Sequence, residues 1–144
     1  MKFTWKKLLL SLFIILALAL SAFAFTRTAV TPVTIKGPYP GTVNAGDLAI
    51  TFTAADIVNL NSFAASGNEV LLVQNTDAAQ QTITLTTKPD GYGRSADIST
   101  YAIPASGFAA FNFHNANNGW IQSDGNIYFQ ASTATVKFAV LRVP

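Results

Sequence analysis

Short β-type segments separated by turn residues restrict the fold of this chain more than any other feature of its sequence. Clusters of Gly, Asn, Asp, Ser and Pro lie between the segments, and such residues supply the backbone angles of tight turns. Many short strands at this spacing are typical of a sandwich or barrel. We therefore predict an all-β protein, with a single antiparallel, jelly-roll-like β-sandwich over residues 47–144. The predicted strands are LAITFT (48–53), EVLLVQN (69–75), TITLTTK (82–88), STYAI (99–103), FAAFNFH (108–114), NIYFQAS (126–132) and TVKFAVLRV (135–143).

The last predicted strand is apolar on both of its faces. Val136, Phe138 and Val140 share one face, and Ala139 and Leu141 lie on the other. A strand with this pattern lies deep in the fold or against another subunit. Because EVLLV has the same two-sided pattern, we predict a sandwich with an additional covered face and an assembly contact. The predicted contact residues are Tyr92, Arg94, Val136, Phe138, Val140 and Leu141.

The N-terminal residues 1–24 have the features of a secretory signal. Three lysines precede an apolar run from Leu8 to Leu20, and Ala22 and Ala24 have the spacing that a signal peptidase accepts. The alternative is a retained anchor, because residues 8–25 form a stretch just long enough to span a membrane as a helix. The short run and the cleavage spacing favour cleavage. In either case we predict export, with membrane contact through residues 8–25 if the segment is retained.

Residues 25–46 are predicted to form an extended arm that leads into the sandwich. Three prolines and three glycines flank the short β-like piece VTIK, and proline keeps such a segment out of a helix. The stretch TAADIVNLNSFAAS (53–66) is the only helix candidate in the remainder. Thr53 and Asp56 match a capping box. Because NLNSF has low helix propensity, we expect at most one or two turns of helix.

Ionic side chains are scarce beyond the N-terminal segment. Without Lys2, Lys6 and Lys7, the nine basic residues fall to six against seven acidic ones, a net charge of −1. Nucleic-acid binding needs a basic stripe that neutralises phosphates, so nucleic acid is excluded as a partner. Cysteine is absent, and packing and backbone pairing must therefore stabilise the fold. Ser, Thr, Asn and Gln take the place of most charged residues, and a surface with few Lys and Glu loses less side-chain entropy on contact, which favours packing into arrays.

The sequence contains no catalytic constellation. His114 is the sole histidine, it ends a predicted strand, and no G-x-S-x-G elbow accompanies it. The acidic residues lie mostly at turns, where Asp bonds to the backbone. Asp90, Asp97 and Asp124 would suit calcium if their loops met, but the Asp-x-Asp-x-Asp-Gly spacing is missing. We predict a protein that is not an enzyme, with no catalytic residue, no cofactor and no metal site.

A second use of the loops is carbohydrate binding. Aromatic side chains stack on sugar rings and amides bond to hydroxyls, which makes Tyr92, Trp120, Asn117 and Asn118 the candidate ligand-binding residues. Tyr39, Tyr101 and Asn115 are further candidates. The alternative for Trp120 is burial of its indole at the start of a strand, since aromatic rings are normal in such cores.

The stretch KPDGYGRSAD (88–97) is the most loop-like part of the chain. PDG makes a tight corner, and Arg94 and Asp97 are predicted to pair across the turn. A phosphate cradle needs a glycine-rich loop that leads into a helix N-terminus, whereas this loop leads into a predicted strand. We interpret it as a structured loop at a contact surface and not as a nucleotide site.

Residues 47–144 resemble small β-sandwich structural or decoration-like virion proteins of tailed bacteriophages and prophages. The resemblance includes Tyr92-Gly93-Arg94, Gly119-Trp120, Asp124-Gly125 and the closing KFAVLRVP. It implies a non-enzymatic structural role and no catalytic residues. A decoration protein added to a capsid in the cytoplasm needs no signal sequence, so residues 1–24 are a departure. They indicate a membrane-containing virion, a host-surface assembly or a secreted relative.

From these features we expect an exported or membrane-anchored structural subunit. It would associate with itself or with a larger protein lattice, in a repetitive surface or virion assembly. The alternative is a secreted carbohydrate- or surface-binding module.

Overall fold

The computed structural model describes residues 26–37, 49–113 and 119–144. Within these ranges the chain forms ten β-strands and no helix, which confirms the predicted all-β class. The strands are β1 (Thr28–Ala29), β2 (Val33–Thr34), β3 (Thr53–Ala54), β4 (Asn61–Ala64), β5 (Glu69–Asn75), β6 (Gln81–Thr86), β7 (Ile98–Ile103), β8 (Phe108–Asn112), β9 (Asn126–Ala131) and β10 (Val136–Arg142).

The strands form two sheets, which we name sheet A and sheet B. Sheet A has the order β1-β4-β9-β6-β7, and sheet B has the order β2-β10-β5-β8 with β3 also paired to β10. All pairs among β3 to β10 are antiparallel. However, β1 runs parallel to β4 and β2 runs parallel to β10. Both sheets are therefore mixed, and the prediction of a purely antiparallel sandwich is wrong in this respect.

The parallel pairs come from the first part of the predicted arm. Thr28 N donates to Leu60 O at 3.0 Å, and Ile35 N donates to Arg142 O at 2.9 Å. Pro32, which has no N–H to donate, lies between β1 and β2, where the chain passes from one sheet to the other. Residues 26–37 thus contribute one edge strand to each sheet: β1 to sheet A and β2 to sheet B. The rest of the predicted arm, residues 38–46, lies outside the described residues.

Aromatic and branched side chains join the two sheets in one core. The Phe129 ring of β9 meets the Phe138 ring of β10 edge to face, with centroids 4.7 Å apart. Val136, Phe138 and Val140 are at most 1% exposed. Their face of β10 lies against sheet A, which corrects their prediction as assembly contacts. These three side chains have no surface to offer a partner.

The other face of β10 is covered from within the same chain. Ala139 on that face is buried, and Leu141 is half-buried. Ile50 and Thr51 line a cavity with both of these residues. The additional covered face that the two-sided pattern predicted is thus present in part, and the chain itself supplies the cover.

The segment 53–66 contains strands and a turn instead of a helix. The Asp56 carboxylate accepts hydrogen bonds from the backbone N–H of Val58 and of Asn59, both at 2.9 Å. Leu60 then has a φ of 58°, in the left-handed region that a helix cannot continue through. The hydroxyl of Thr28 also donates to Asp56, and these hydrogen bonds hold the pKa of Asp56 well below its usual range. The predicted capping residue therefore organises a turn that precedes β4.

Candidate functional surfaces

The loop between β6 and β7 is organised around Asp90. Its Oδ1 accepts hydrogen bonds from the backbone N–H of Tyr92 at 2.8 Å and of Arg94 at 2.9 Å. The Arg94 guanidinium donates to Oδ2 from Nε at 2.7 Å. The backbone and side-chain hydrogen bonds from Arg94 lower the pKa of Asp90. The predicted pairing of Arg94 with Asp97 is wrong, because Asp90 is the partner.

Asp97 closes the base of the same loop. Its Oδ1 accepts from both the backbone N–H and the hydroxyl of Thr87, each at 2.8 Å. The Thr87 hydroxyl oxygen in turn accepts from Ala96 N at 2.8 Å. Lys88 N donates to Gly119 O at 2.6 Å, which fixes the loop to the segment that carries Trp120. The loop is therefore a structured one, as the sequence predicted.

An open cleft of ≈ 420 Å³ lies between this loop and Trp120. The half-buried Trp120 packs edge to face on Phe113, with ring centroids 6.0 Å apart. The indole thus packs against the core, as the second interpretation of this residue predicted, and Trp120 also lines the cleft. The lining residues are Thr87, Lys88, Asp90, Arg94, Ser95, Ala96, Gly119 and Trp120. We name this feature the Trp120 cleft.

Of the other predicted ligand-binding residues, Tyr92 and Tyr101 lie in the described part of the chain, and neither lines the cleft with Trp120. Tyr92 is 87% exposed at the tip of the loop, with the Arg94 guanidinium carbon 5.2 Å from its ring centroid. Tyr92 is not among the residues that line the cleft. Tyr101 lies on β7 and packs on Phe111 at 5.3 Å. Tyr39, Asn115, Asn117 and Asn118 lie outside the described residues.

The carboxylates in the described part of the chain accept hydrogen bonds from neighbouring turns and strands. Asp124 accepts from Asn126 and from the hydroxyl of Tyr128, both at 2.8 Å, in a turn of its own. In the described ranges no three His, Cys, Asp or Glu side chains lie together as metal ligands would. The calcium site considered for Asp90, Asp97 and Asp124 is therefore not formed. His114 lies outside the described residues.

Sequence reasoning missed the buried Glu69. Its carboxylate accepts from Ser66 N at 2.9 Å, Gly67 N at 3.0 Å and Arg142 Nε at 2.8 Å, and the Ser66 hydroxyl also donates to it. Burial alone would raise the pKa of Glu69, but these donors outweigh it and lower the pKa to about 2. The turn residues SGN (66–68), which directly precede Glu69, were the available signal. Glu69 ties the β4–β5 turn to the end of β10, which is a structural role.

Sheet B exposes large apolar side chains on the side that faces away from sheet A. Phe108 is 66% exposed at the start of β8, Ile50 is 45% exposed and Val33 is 42% exposed. The Phe108 ring also meets the Phe52 ring, with centroids 6.3 Å apart. We name Val33, Ile50 and Phe108 the sheet B patch. These side chains share one face of the sheet, with Val33 on its β2 edge and Phe108 on its β8 edge. Large exposed apolar surface on one face marks an interaction site.

No protein-family model, curated protein or solved structure matches this chain. The resemblance to phage structural proteins thus stays a prediction. None of the described residues belongs to a helix that is long and apolar enough to cross a membrane. The predicted signal or anchor, residues 1–24, lies outside them.

Proposed function

We propose that β3 to β10 form a jelly-roll sandwich and that the chain is a non-enzymatic structural subunit. The strand orders support the first part: β3-β10-β5-β8 in sheet B lies over β4-β9-β6-β7 in sheet A. Successive strands pass from one sheet to the other, except at the β6–β7 hairpin. This double Greek-key arrangement of eight strands occurs in viral capsid and lectin domains. A fold of this kind hosts many functions, so the surfaces must carry the functional argument.

The proposed role is packing into a repetitive surface or virion assembly after export, with a second copy of this chain as the partner. The observation that carries this proposal is the sheet B patch. Burying a large apolar side chain contributes about 1.5–3 kcal/mol, and the patch offers three such side chains. A net charge near zero beyond residue 24 also means that copies repel one another weakly.

The edge of sheet B gives a reason why the partner would be a copy. Asn75 N donates to Gly107 O, and Phe113 N donates to Glu69 O. These two bonds show that every second residue from Gly107 to Phe113 directs its backbone N–H and C=O toward β5. By the alternation of an antiparallel pair, the backbone groups of Phe108 and Ala110 point away from β5. Antiparallel pairing of β8 with its copy satisfies these groups and is self-complementary about a two-fold axis. It also places the outward faces of the two copies of sheet B side by side, with Phe108 of each copy at the shared edge.

Sedimentation velocity of the full chain, in the form that the producing cell releases, tests this proposal over the micromolar range. We expect a dimer or larger species, and we expect Phe108→Ser to raise its dissociation constant by about tenfold or more. The matched control is Val58→Ser, because Val58 is 75% exposed but lies in the turn after β3. A monomer at high micromolar concentration would contradict the proposal, as would equal effects of the two variants.

A further inference from the structure

The Trp120 cleft has the size and the rigidity of a small-ligand site. Its volume of ≈ 420 Å³ falls within the range of about 300–1,000 Å³ that is typical of ligand pockets. Hydrogen bonds from Thr87 to Asp97, from Lys88 to Gly119 and from Arg94 to Asp90 hold its walls. A ligand therefore does not have to order the loop when it binds, which lowers the entropic cost of binding.

The charges that line the cleft favour a ligand with one negative charge. Arg94 and Asp90 neutralise each other, because Arg94 Nη2 and Nε both lie 2.7 Å from Asp90 Oδ2. Lys88 also lines the cleft, and no described carboxylate forms an ion pair with it. The residues that line the cleft therefore carry the net charge of one ammonium group; the Asp97 carboxylate is not among them and accepts hydrogen bonds from the N–H and the hydroxyl of Thr87. A lysine ammonium is a mobile point charge that can follow a carboxylate on a bound ligand.

The backbone of the loop argues against phosphate as that negative group. Phosphate sites use several backbone N–H groups that point at the anion. Here the N–H groups of Tyr92 and Arg94 bond to Asp90, that of Ala96 bonds to Thr87, and that of Lys88 bonds to Gly119. These donors are already used within the protein. Among the side chains that line the cleft, the Trp120 indole, the Lys88 ammonium group and the Ser95 hydroxyl take no part in these hydrogen bonds.

We propose that the Trp120 cleft binds an acidic pyranose, a uronic acid residue of a glycan. The apolar face of the sugar ring lies against Trp120, its carboxylate faces Lys88, and its hydroxyls bond to the polar rim. This assignment gives the carbohydrate-binding alternative a definite site and a charge preference. It does not depend on self-association, because the sheet B patch shares no residue with the cleft.

Titration of the full-length chain carrying Trp5→Phe with methyl β-D-glucuronide tests the proposal by fluorescence. The chain has two tryptophans, so this variant leaves Trp120 as the sole reporter. We expect a saturable fluorescence change, and weaker binding of methyl β-D-glucoside by roughly two- to fivefold, the size of one exposed charge pair. In 0.5 M salt this preference disappears, because exposed charges are screened.

Two variants separate the ring contact from the charge. Lys88→Gln is expected to remove the preference for the glucuronide while glucoside binding stays, and Lys137→Gln is the matched control on sheet B. Trp120→Leu is expected to abolish binding of both sugars, with NMR shifts of the Ser95 and Ala96 amides as the readout. An absence of any response at tens of millimolar sugar overturns the proposal. So do equal affinities for the two sugars, or binding of propionate or inorganic phosphate as tight as that of the glucuronide.

Discussion

Replacing Glu69 with Gln tests how the turn between β4 and β5 is held. The Glu69 side chain is fully buried, and its carboxylate is the common acceptor for Ser66, Gly67 and Arg142. Glutamine keeps the shape of the side chain but loses the negative charge and one acceptor oxygen. The substitution therefore leaves part of this buried donor set without a charged partner, and we expect a less stable protein.

The pKa of Glu69 sets the magnitude. Burial opposes ionisation, but the hydrogen bonds from Ser66, Arg142 and Gly67 outweigh it, and the pKa falls from 4.5 to about 2. At ~1.4 kcal/mol for each pH unit of that fall, the ionised group contributes about 3 kcal/mol to the free energy of unfolding. Because the pKa is lower in the folded state, this contribution is fully present above pH ~5 and is lost as the pH falls toward about 2.

Urea unfolding, followed by circular dichroism at several pH values between 7 and 2, measures the effect. We expect Glu69→Gln to be about 3 kcal/mol less stable than the parent at pH 7, with a difference that decreases toward zero near pH 2. Asp90→Asn is the control, because it removes the same charge from an exposed loop, and its effect should be much smaller. A Glu69→Gln protein that matches the parent at pH 7, or differs from it equally at all pH values, would refute the reasoning.

Two further predictions concern packing. In Gly107→Ala, the new Cβ lies 2.9 Å from Pro104 O, so thermal unfolding should show a loss of about 1–3 kcal/mol. Gly91→Ala, where nothing lies within 4 Å, should leave the melting temperature nearly unchanged, and a similar loss in both would contradict this account. Phe138→Ala should cost about 3–5 kcal/mol in urea unfolding at any protein concentration. A loss that appears only when the protein associates would restore the contact role first predicted for Phe138.

Hydrophobic pattern and turn chemistry predicted the longer strands well. The predicted segment 69–75 coincides with β5, and the segments for β6 to β10 differ from the observed strands by at most a few residues. These strands have alternating or continuous apolar residues, and Gly, Asn or Asp mark their ends. Their sequence-local signal and their tertiary environment agree, which is why pattern reasoning succeeded there.

The short strands could not be predicted in the same way. β1 and β2 have two residues each and are defined by pairing with β4 and β10, which are distant in sequence. β4, with the sequence NSFA, has little β propensity, but Phe63 places its ring in the core at 5.8 Å from Phe129. Tertiary packing decides the conformation of such segments. For this reason residues 61–64, within the helix candidate 53–66, form strand β4.

For the candidate sites, too, features set by neighbouring residues could be predicted, whereas contacts that depend on strand pairing could not. The sequence predicted a structured loop and the burial of part of the Trp120 indole, because turn residues and an aromatic residue after an Asn-rich turn are local signals. It could not show which aspartate Arg94 would bind, since Asp90 and Asp97 are about equally near in the chain. Thr87 donates a hydrogen bond to Asp97, and this contact forms only when β6 and β7 are paired.

The position of β1 determines how the sandwich can be attached to its surroundings. Because β1 begins at Thr28 and pairs with β4, only residues 25–27 separate the sandwich from the predicted signal or anchor. Three extended residues reach at most roughly 10 Å. If the hydrophobic segment is retained as an anchor, this distance leaves no room for a stalk between the anchor and β1.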